Sequence, residues 1–345
     1  MITPPPEPWH ILGAGAIGSL WACYLRLAGQ QPRLILRSAE SLRRFDGSLL
    51  LSHSATRQKV SLTAELADSS QPIQRLLLTT KSYDARAAVE SVRHRLNHTS
   101  LVVVLQNGMG QQQQLAERFP DIAFYAGTTT EGAYLKSTEP QPLAERLPNI
   151  GLDDAGTTAE DVYRSDTGPA QQLVHAGRGA SWLGPINARA CDRGSAVLDS
   201  LLQLPLTTGY DAQIQDRLWH KLAINAAING LTAIHDCQNG QLALNPDYRE
   251  QMRQLCDEVE QLARALQQPL FDRPLLEIAL EVATATASNY SSMLQDVRKR
   301  RHTEIRFING YICRQADRLG IDTPHNQALV DHISSLYPHS AINNL

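Results

Sequence analysis

The chain has 345 residues, of which 42% are hydrophobic, and 32 basic residues stand against 35 acidic ones, for a formal charge of −3. This length predicts about two domains, and the hydrophobic content is sufficient for a buried core, which argues against general disorder. The balanced charge provides no field for wrapping nucleic acid or for holding the protein on an anionic membrane. We therefore expect neither a nucleic acid nor a membrane as a partner.

Hydropathy and cysteine spacing narrow the class of protein further. No apolar run approaches the roughly 20 residues of a membrane-spanning helix, and the opening residues lack the pattern of a signal peptide. The five cysteines are far apart and form no C-x-x-C pair, which argues against a disulfide framework and against a zinc site. These features predict a soluble, cytoplasmic protein without a bound metal.

The predicted elements of the first half alternate between strands and helices. Residues 9–12 predict a strand that leads through a glycine-rich turn into a helix over residues 19–28. Short apolar runs predict further strands at residues 33–36, 76–79, 101–105 and 123–127. Short strands separated by helical patterns are typical of βαβ units and a parallel sheet.

The pattern changes twice farther along the chain. Residues 136–170 are rich in Pro, Thr, Asp and Gly, and we interpret them as a surface insertion. Then follow a predicted hairpin (strands at 173–175 and 181–183), a helix over 190–203 and a strand near Leu206. From about residue 212 helical periodicity takes over. The sequence therefore predicts an α/β domain over residues 1–211 and an all-α domain over residues 212–345.

The glycine-rich turn has the form G-x-G-x-x-G between a predicted strand and a predicted helix. In this context the pattern is typical of dinucleotide binding, because the glycines permit a tight turn and a close approach of backbone to a pyrophosphate. The helix N-terminus offers free N–H groups to the phosphates. The alternative is a glycine-rich turn without a ligand. We assign cofactor binding to Gly13, Ala14, Gly15, Ala16, Ile17 and Gly18.

The residue after the second predicted strand indicates which dinucleotide is bound. NAD-binding domains usually carry an acidic residue there, about 20 residues after the motif, to hold the ribose 2′-hydroxyl. This chain has Arg37 instead, which suits the 2′-phosphate of NADPH, while Glu40 lies beyond the strand end. The alternative is that Arg37 is only a solvated loop residue. We expect NADPH/NADP+ as the cofactor.

A stripe of polar residues marks an otherwise apolar helical segment at residues 218–230. Lys221, Asn225 and Asn229 recur every four residues and therefore lie about 40° apart on one helix face. Buried without partners, each would cost about 1–3 kcal/mol, so we expect them to line a polar cavity. The alternative is a narrow solvent-exposed face.

These stretches together resemble the ketopantoate reductase (2-dehydropantoate 2-reductase) family over residues 9–336. The resemblance rests on the glycine motif, on Thr80-Lys81, and on residues 106–110, 127–130, 219–225, 231–233, 291–296, 302–305 and 309–310. It implies an N-terminal Rossmann-type domain followed by a helical domain like the C-terminal domain of 6-phosphogluconate dehydrogenase. It also implies NADPH-dependent reduction of ketopantoate to D-pantoate, on the route to pantothenate and coenzyme A.

The resemblance also implies roles for individual residues. Arg37 and Lys81 would hold the 2′-phosphate region, Asn107 would lie near nicotinamide and substrate, and Gly132 would contact the cofactor. Lys221 would be the general acid. Glu304 would complete the catalytic site and also touch the cofactor. The substrate would be held by Asn107, Lys221, Asn225, Asn229, Asn239, Asn289 and Ser292.

Alternatives to this function stay open. After Thr130 the chain has Glu131-Gly132, where the resemblance leads us to expect a smaller or His-containing segment. One alternative is a reductase of the same fold for another small keto acid, since a fold does not determine a substrate. Another is a non-catalytic NADPH-binding protein. The helical domain could also serve in a homodimer.

Overall fold

The structure, a computed structural model, describes residues 7–136, 171–268 and 270–336. Most of the predicted insertion, residues 137–170, therefore lies outside the described residues. In the N-terminal part the strands are β1 (Trp9–Leu12), β2 (Arg33–Leu36), β3 (Ser48–His53), β4 (Thr56–Ser61), β5 (Thr63–Leu66), β6 (Arg75–Leu78), β7 (Leu101–Leu105), β8 (Ala123–Thr129), β9 (Gly132–Lys136), β10 (Gln172–Gly177), β11 (Ala180–Pro185) and β12 (Thr207–Tyr210). The helices between them are α1 (Ala16–Leu27), α2 (Ala39–Arg44), α3 (Ala85–Ser91), α4 (Gln111–Arg118), α5 (Ala188–Arg193) and α6 (Asp199–Leu202).

Eight of these strands form one sheet in the order β12-β11-β8-β7-β6-β1-β2-β5. The strands from β8 to β5 are parallel to their neighbours, whereas β11 pairs antiparallel with β8 and parallel with β12. The central strand β7 is buried along its whole length, as a parallel strand covered on both faces requires. The carboxyl ends of β6, β7 and β8 consequently lie side by side at one edge of the sheet.

A second sheet covers the helix that follows the glycine motif. Its strand order is β4-β3-β10-β9. Helix α1 contacts strands of both sheets, so it is sandwiched between them. Trp21 of α1 is fully buried and shares one apolar cluster with Ile11 of β1 and Leu49 of β3. The other face of the large sheet packs on α3 and α4, through residues such as Val89 and Leu115.

Helices make up the described part of the chain after Asp211. They are α7 (Ile214–Ile234), α8 (Asn239–Leu244), α9 (Pro246–Ala265), α10 (Leu275–Ala285), α11 (Ser292–Arg298), α12 (Asn309–Asp317) and α13 (Pro324–Leu336). Helix α7 is central: it contacts α9, α10, α11 and α13 as well as β8 and β11 of the large sheet. Within the described ranges no helix has the length and apolar character to cross a membrane. The predicted fold class, an α/β domain followed by a helical domain, is confirmed.

Two local predictions were wrong. The strands predicted as one hairpin, β10 and β11, do not pair with each other, because β10 lies between β3 and β9 whereas β11 joins the large sheet. The helix predicted over residues 190–203 is divided into α5, a 3₁₀ turn and α6. The division occurs at Gly194, where φ is +64°, a conformation that ends a helix.

Candidate active site

The glycine motif forms the tight turn between β1 and α1. Gly13 has φ +112°, and a Cβ there would lie 2.5 Å from the Thr80 nitrogen. A Cβ on Gly18 would lie 2.1 Å from the Gly13 oxygen, so this glycine permits close contact of helix and turn. A Cβ on Gly15 would meet nothing within 4 Å. The backbone is thus open on the side from which a pyrophosphate would approach.

The start of α1 also fits a dinucleotide. No side chain caps the helix, and its first turn contains no acidic residue, so its N–H groups are available to an anion. Arg37 directly follows β2, is exposed, and has no ion pair with any described residue. Glu40, the acidic residue nearest to this position, forms an ion pair with Arg44 within α2. The edge of the site at β2 therefore presents an unpaired cation.

The polar stripe of α7 faces the edge of the large sheet. Lys221 donates a hydrogen bond from Nζ to the Thr129 carbonyl at the end of β8, at 2.7 Å. The side chains of Asn225 and Asn229, one and two turns farther along, make no hydrogen bond to a described residue. Both amides therefore remain available to a ligand. This arrangement places an ammonium and two neutral amides along one face of α7, with the ammonium at the end of β8.

The surroundings of Lys221 change its acidity. Burial lowers its pKa from 10.5 to about 8, and the Glu304 carboxylate partly opposes that change. A charged amine held away from water loses hydration, so its neutral form becomes easier to reach. Lys221 therefore remains mostly protonated at neutral pH but can release its proton readily.

Glu304 lies on the loop before a short 3₁₀ turn and is almost fully buried. Its Oε1 accepts hydrogen bonds from the Ser82 amide at 3.1 Å and from the Ser82 hydroxyl at 2.7 Å. Its Oε2 accepts from Nδ2 of Asn107 at 3.2 Å. Ser82 follows β6 and Asn107 follows β7, so Glu304 joins the helical domain to the carboxyl edge of the sheet.

Lys81 completes this cluster. Its Nζ lies 2.5 Å from Oδ2 of Asp296, on α11, and 3.5 Å from Oε2 of Glu304. Burial opposes the charge of Lys81, but the two carboxylates outweigh burial and raise its pKa. Lys81 is therefore firmly cationic. In this structure its charge is directed to the helical domain, two strands away from the Arg37 position along the sheet.

The remaining predicted residues lie at different distances from this cluster. Asn239 is almost fully buried, and its Nδ2 donates to Oγ1 of Thr286 at 2.9 Å while its Oδ1 has no partner among the described residues. The Asn289 side chain is exposed, and its carbonyl accepts from the Asn239 amide at 3.0 Å. Ser292 is exposed at the start of α11. Gly132 begins β9 and pairs with Gly177 in the second sheet.

Three polar residues of this region had no role in the sequence-based prediction. Ser82, Asp296 and Thr129 each contact a predicted site residue, across separations of 222, 215 and 92 positions. Ser82 directly follows the Thr80-Lys81 pair and Asp296 ends the motif at 291–296, so their neighbours were the available signal. The Thr129 contribution is a backbone carbonyl, which no residue type reveals.

Comparison with known proteins gives two matches to family models. Residues 9–142 match the model described as ketopantoate reductase PanE/ApbA, and residues 213–336 match its C-terminal model. A 2-dehydropantoate 2-reductase from Vibrio cholerae is 34% identical over 94% of this chain and 96% of its own. The chain belongs to the ketopantoate reductase family. It is accordingly an oxidoreductase that acts on a CH–OH group.

Solved structures show the same fold. A PanE/ApbA family ketopantoate reductase from Ralstonia eutropha JMP134 superposes with a TM-score of 0.77 at 23% identity, covering 96% of this chain and 98% of its own. A D-mandelate dehydrogenase with NADH and anilino(oxo)acetate has the same TM-score at 21% identity, with the same coverage. A dimeric ketopantoate reductase from Staphylococcus aureus has a TM-score of 0.70 at 17% identity, covering 96% and 98%.

A stability measurement can test the burial of Lys221 in this member of the ketopantoate reductase family without any substrate. We expect Lys221→Met to raise the free energy of unfolding at pH 7 by about 1–3 kcal/mol, since a pKa lowered from 10.5 to about 8 means that folding disfavours the charged lysine. The gain is complete below pH 8 and disappears as pH rises to 10.5, where the unfolded chain also loses this proton. Urea unfolding at pH 7 and pH 10 measures it, and an equal gain at both pH values would contradict the burial.

Proposed function

We propose that the chain reduces ketopantoate to D-pantoate with NADPH, a step of pantothenate and coenzyme A biosynthesis, and that Lys221 is the general acid. The observation that carries this proposal is the half-buried Lys221, with a pKa of about 8, on a stripe of unpartnered amides. The relatives named 2-dehydropantoate 2-reductase support the substrate.

The residues present suit the chemistry of this reduction. When bound, NADPH supplies a hydride to the keto carbon of the substrate. Negative charge then gathers on the keto oxygen, and Lys221 stabilises it as an ammonium and protonates it. The Thr129 carbonyl, 2.7 Å from Nζ, orients the ammonium during this step. The neutral amine that remains recovers its proton from solvent.

Other residues bind the substrate and the cofactor in this proposal. Asn225 and Asn229 hold the substrate carboxylate and hydroxyl without adding charge that would disturb Lys221, and Glu304 helps to position the reacting groups. The substrate residues also include Asn107, Asn239, Asn289 and Ser292. The glycine motif and Arg37 bind the dinucleotide, together with Lys81, Asn107, Gly132 and Glu304.

One comparison favours a second candidate function. The D-mandelate dehydrogenase neighbour binds NADH and a different 2-oxo acid analogue on the same fold, so a related keto acid or NADH is the alternative. A non-catalytic NADPH-binding protein would need neither Lys221 nor Glu304. The chain retains both residues, which favours an enzyme. We also propose that the protein acts in the cytoplasm as a homodimer. Light scattering of the purified protein measures its oligomeric state.

Steady-state assays distinguish these candidates. We expect kcat/KM with NADPH to be at least about 100-fold higher for ketopantoate than for 2-oxoisovalerate, which lacks the hydroxymethyl group. Pyruvate, 2-oxoglutarate and phenylglyoxylate complete the panel, and each substrate is repeated with NADH. Turnover of another keto acid without turnover of ketopantoate would replace the proposed substrate and leave the fold and the nucleotide site unaffected. NADPH binding without any turnover would favour the non-catalytic alternative.

A further inference from the structure

A buried hydrogen-bonded network of three side chains lies in the N-terminal domain, near the end of β8. Glu131 follows β8, and its Oε2 lies 2.7 Å from Nε2 of His175 on β10, with both side chains only 1% exposed. Nδ1 of His175 lies 2.8 Å from the hydroxyl of Tyr24 on α1. A neutral imidazole satisfies both contacts when Nε2 donates to Glu131 and Nδ1 accepts from Tyr24. These hydrogen bonds therefore connect the end of β8 with the second sheet and with the helix that follows the glycine motif.

The same strand end carries the carbonyl that holds Lys221. The Glu131 amide donates to Oγ1 of Thr129 at 3.1 Å, and the Ser181 hydroxyl donates to the same atom at 2.7 Å. The Thr129 carbonyl accepts from Lys221. The backbone amide of residue 131 and the Ser181 hydroxyl thus hold the Thr129 side chain, while the Glu131 side chain is fixed by His175 two residues beyond the peptide group that contacts the ammonium.

A buried carboxylate requires a reason, because burial is unfavourable unless the charge is paired and hydrogen-bonded. Glu131 occupies the position where the sequence departs from the expected family pattern, and His175 is its partner from a different sheet. His53 stacks on His175 with ring centroids 4.7 Å apart, and Nε of Arg178 contacts His53 at 3.2 Å. The pair therefore has polar neighbours on the side of His53, while Pro205 and Leu206 line the cavity beside it.

We propose that Glu131, through its buried bond to His175, is a positioning residue that fixes the end of β8 so that the Thr129 carbonyl holds Lys221 in place. The inference rests on the proposed function, in which Lys221 donates a proton. A lysine side chain has four rotatable bonds, so without a fixed acceptor its ammonium samples many positions. A misplacement of about 1 Å in a reacting group can cost about 100-fold in rate.

The test compares Glu131→Ala with the conservative variant Glu131→Gln. We expect Glu131→Ala to lower kcat about 10- to 100-fold with little change in KM for NADPH. Glu131→Gln retains an acceptor for His175 and should recover most of kcat. Glu65→Ala is the matched control, because it also removes a carboxylate that lies beside a buried histidine. Glu65 is on β5, the edge strand farthest from β12 in the large sheet, and its Oε1 lies 3.6 Å from Nε2 of His10. That variant should lose stability without losing kcat.

A second measurement needs no substrate. The rate at which acetic anhydride labels Lys221, measured by mass spectrometry across pH, reports the pKa of this amine. Loss of a well-placed carbonyl acceptor destabilises the ammonium, so we expect this pKa to fall below the wild-type value in Glu131→Ala and to remain unchanged in Glu65→Ala. If Glu131→Ala does not fold, His175→Leu, which removes the partner of Glu131, should move the pKa in the same direction.

Each outcome decides one point. Unchanged kcat and unchanged Lys221 labelling in a folded Glu131→Ala enzyme would overturn the inference, whatever its melting temperature. With His175→Leu as the only folded variant, unchanged labelling would overturn it too. A third outcome separates the two proposals. If the wild-type protein turns over no keto acid but Glu131→Ala still shifts the labelling of Lys221, the proposed function is overturned and the positioning of Lys221 by Glu131 stands.

Discussion

Replacing Lys221 by alanine is expected to lower kcat for keto-acid reduction by about 10³-fold or more, while the affinity for NADPH stays within about twofold. In the proposed mechanism this substitution removes two contributions together, the stabilisation of the developing oxyanion and the proton donor. Lys221 lies on α7, with its Nζ on the Thr129 carbonyl, and not at the glycine motif. Its loss should therefore leave the nucleotide site unaffected.

Stopped-flow kinetics and NADPH fluorescence titration measure both quantities in the same preparation. Lys221→Arg keeps a cation but not a releasable proton near neutral pH, so it should bind substrate and remain slow. Lys59→Ala, on an exposed strand of the second sheet, is the matched control for loss of a lysine. A comparable loss of NADPH affinity in Lys221→Ala would indicate a structural role instead.

The pH dependence of the wild-type enzyme follows from the same residue. As the proposed general acid, Lys221 must be protonated, so kcat/KM for reduction should fall as pH rises through about 8, the pKa of this lysine. Oxidation of the hydroxy acid requires the neutral amine and should rise over the same interval. Lys221→Arg should lack this transition in the reductive direction. A wild-type profile that is flat through this range would contradict the assignment.

The parts of the fold that were predictable from sequence have local signals. The glycine motif requires a strand before it and a helix after it within a few residues, and the structure has β1 and α1 there. The stripe of Lys221, Asn225 and Asn229 follows from helix periodicity alone. Both signals depend on neighbouring residues, which is why they could be recognised in one sequence.

The parts that were not predictable depend on distant partners. No residue near β10 indicates that this strand pairs with β3, about 120 residues earlier, instead of with β11, because strand pairing depends on the tertiary arrangement. Glu131 looked like an unexplained departure, since its partner His175 is 44 positions away and in another sheet. Ser82 could not be distinguished from other serines before Glu304 was seen beside it.

Replacing Arg37 by alanine is expected to weaken NADPH binding about 10- to 100-fold, with less than a twofold effect on NADH. Hydrogen bonds to charged groups contribute about 1.5–3 kcal/mol each, and only NADPH carries the 2′-phosphate that such a bond would reach. Arg37 is exposed at the end of β2, and its removal breaks no ion pair or side-chain hydrogen bond within the described ranges. The expected loss is therefore one of recognition and not of folding.

Fluorescence titration of each nucleotide into the wild-type and variant proteins measures this selectivity. Arg57→Ala, an exposed arginine of β4, is the matched control and should leave both affinities unchanged. Glu40, the acidic residue nearest in sequence to Arg37, also affects the choice between NADPH and NADH. Its carboxylate forms an ion pair with Arg44 within α2. A free carboxylate there would repel the 2′-phosphate. Equal weakening of NADPH and NADH by Arg37→Ala would mean that Arg37 contacts a part common to both nucleotides, and the cofactor preference would then have to come from elsewhere in the site.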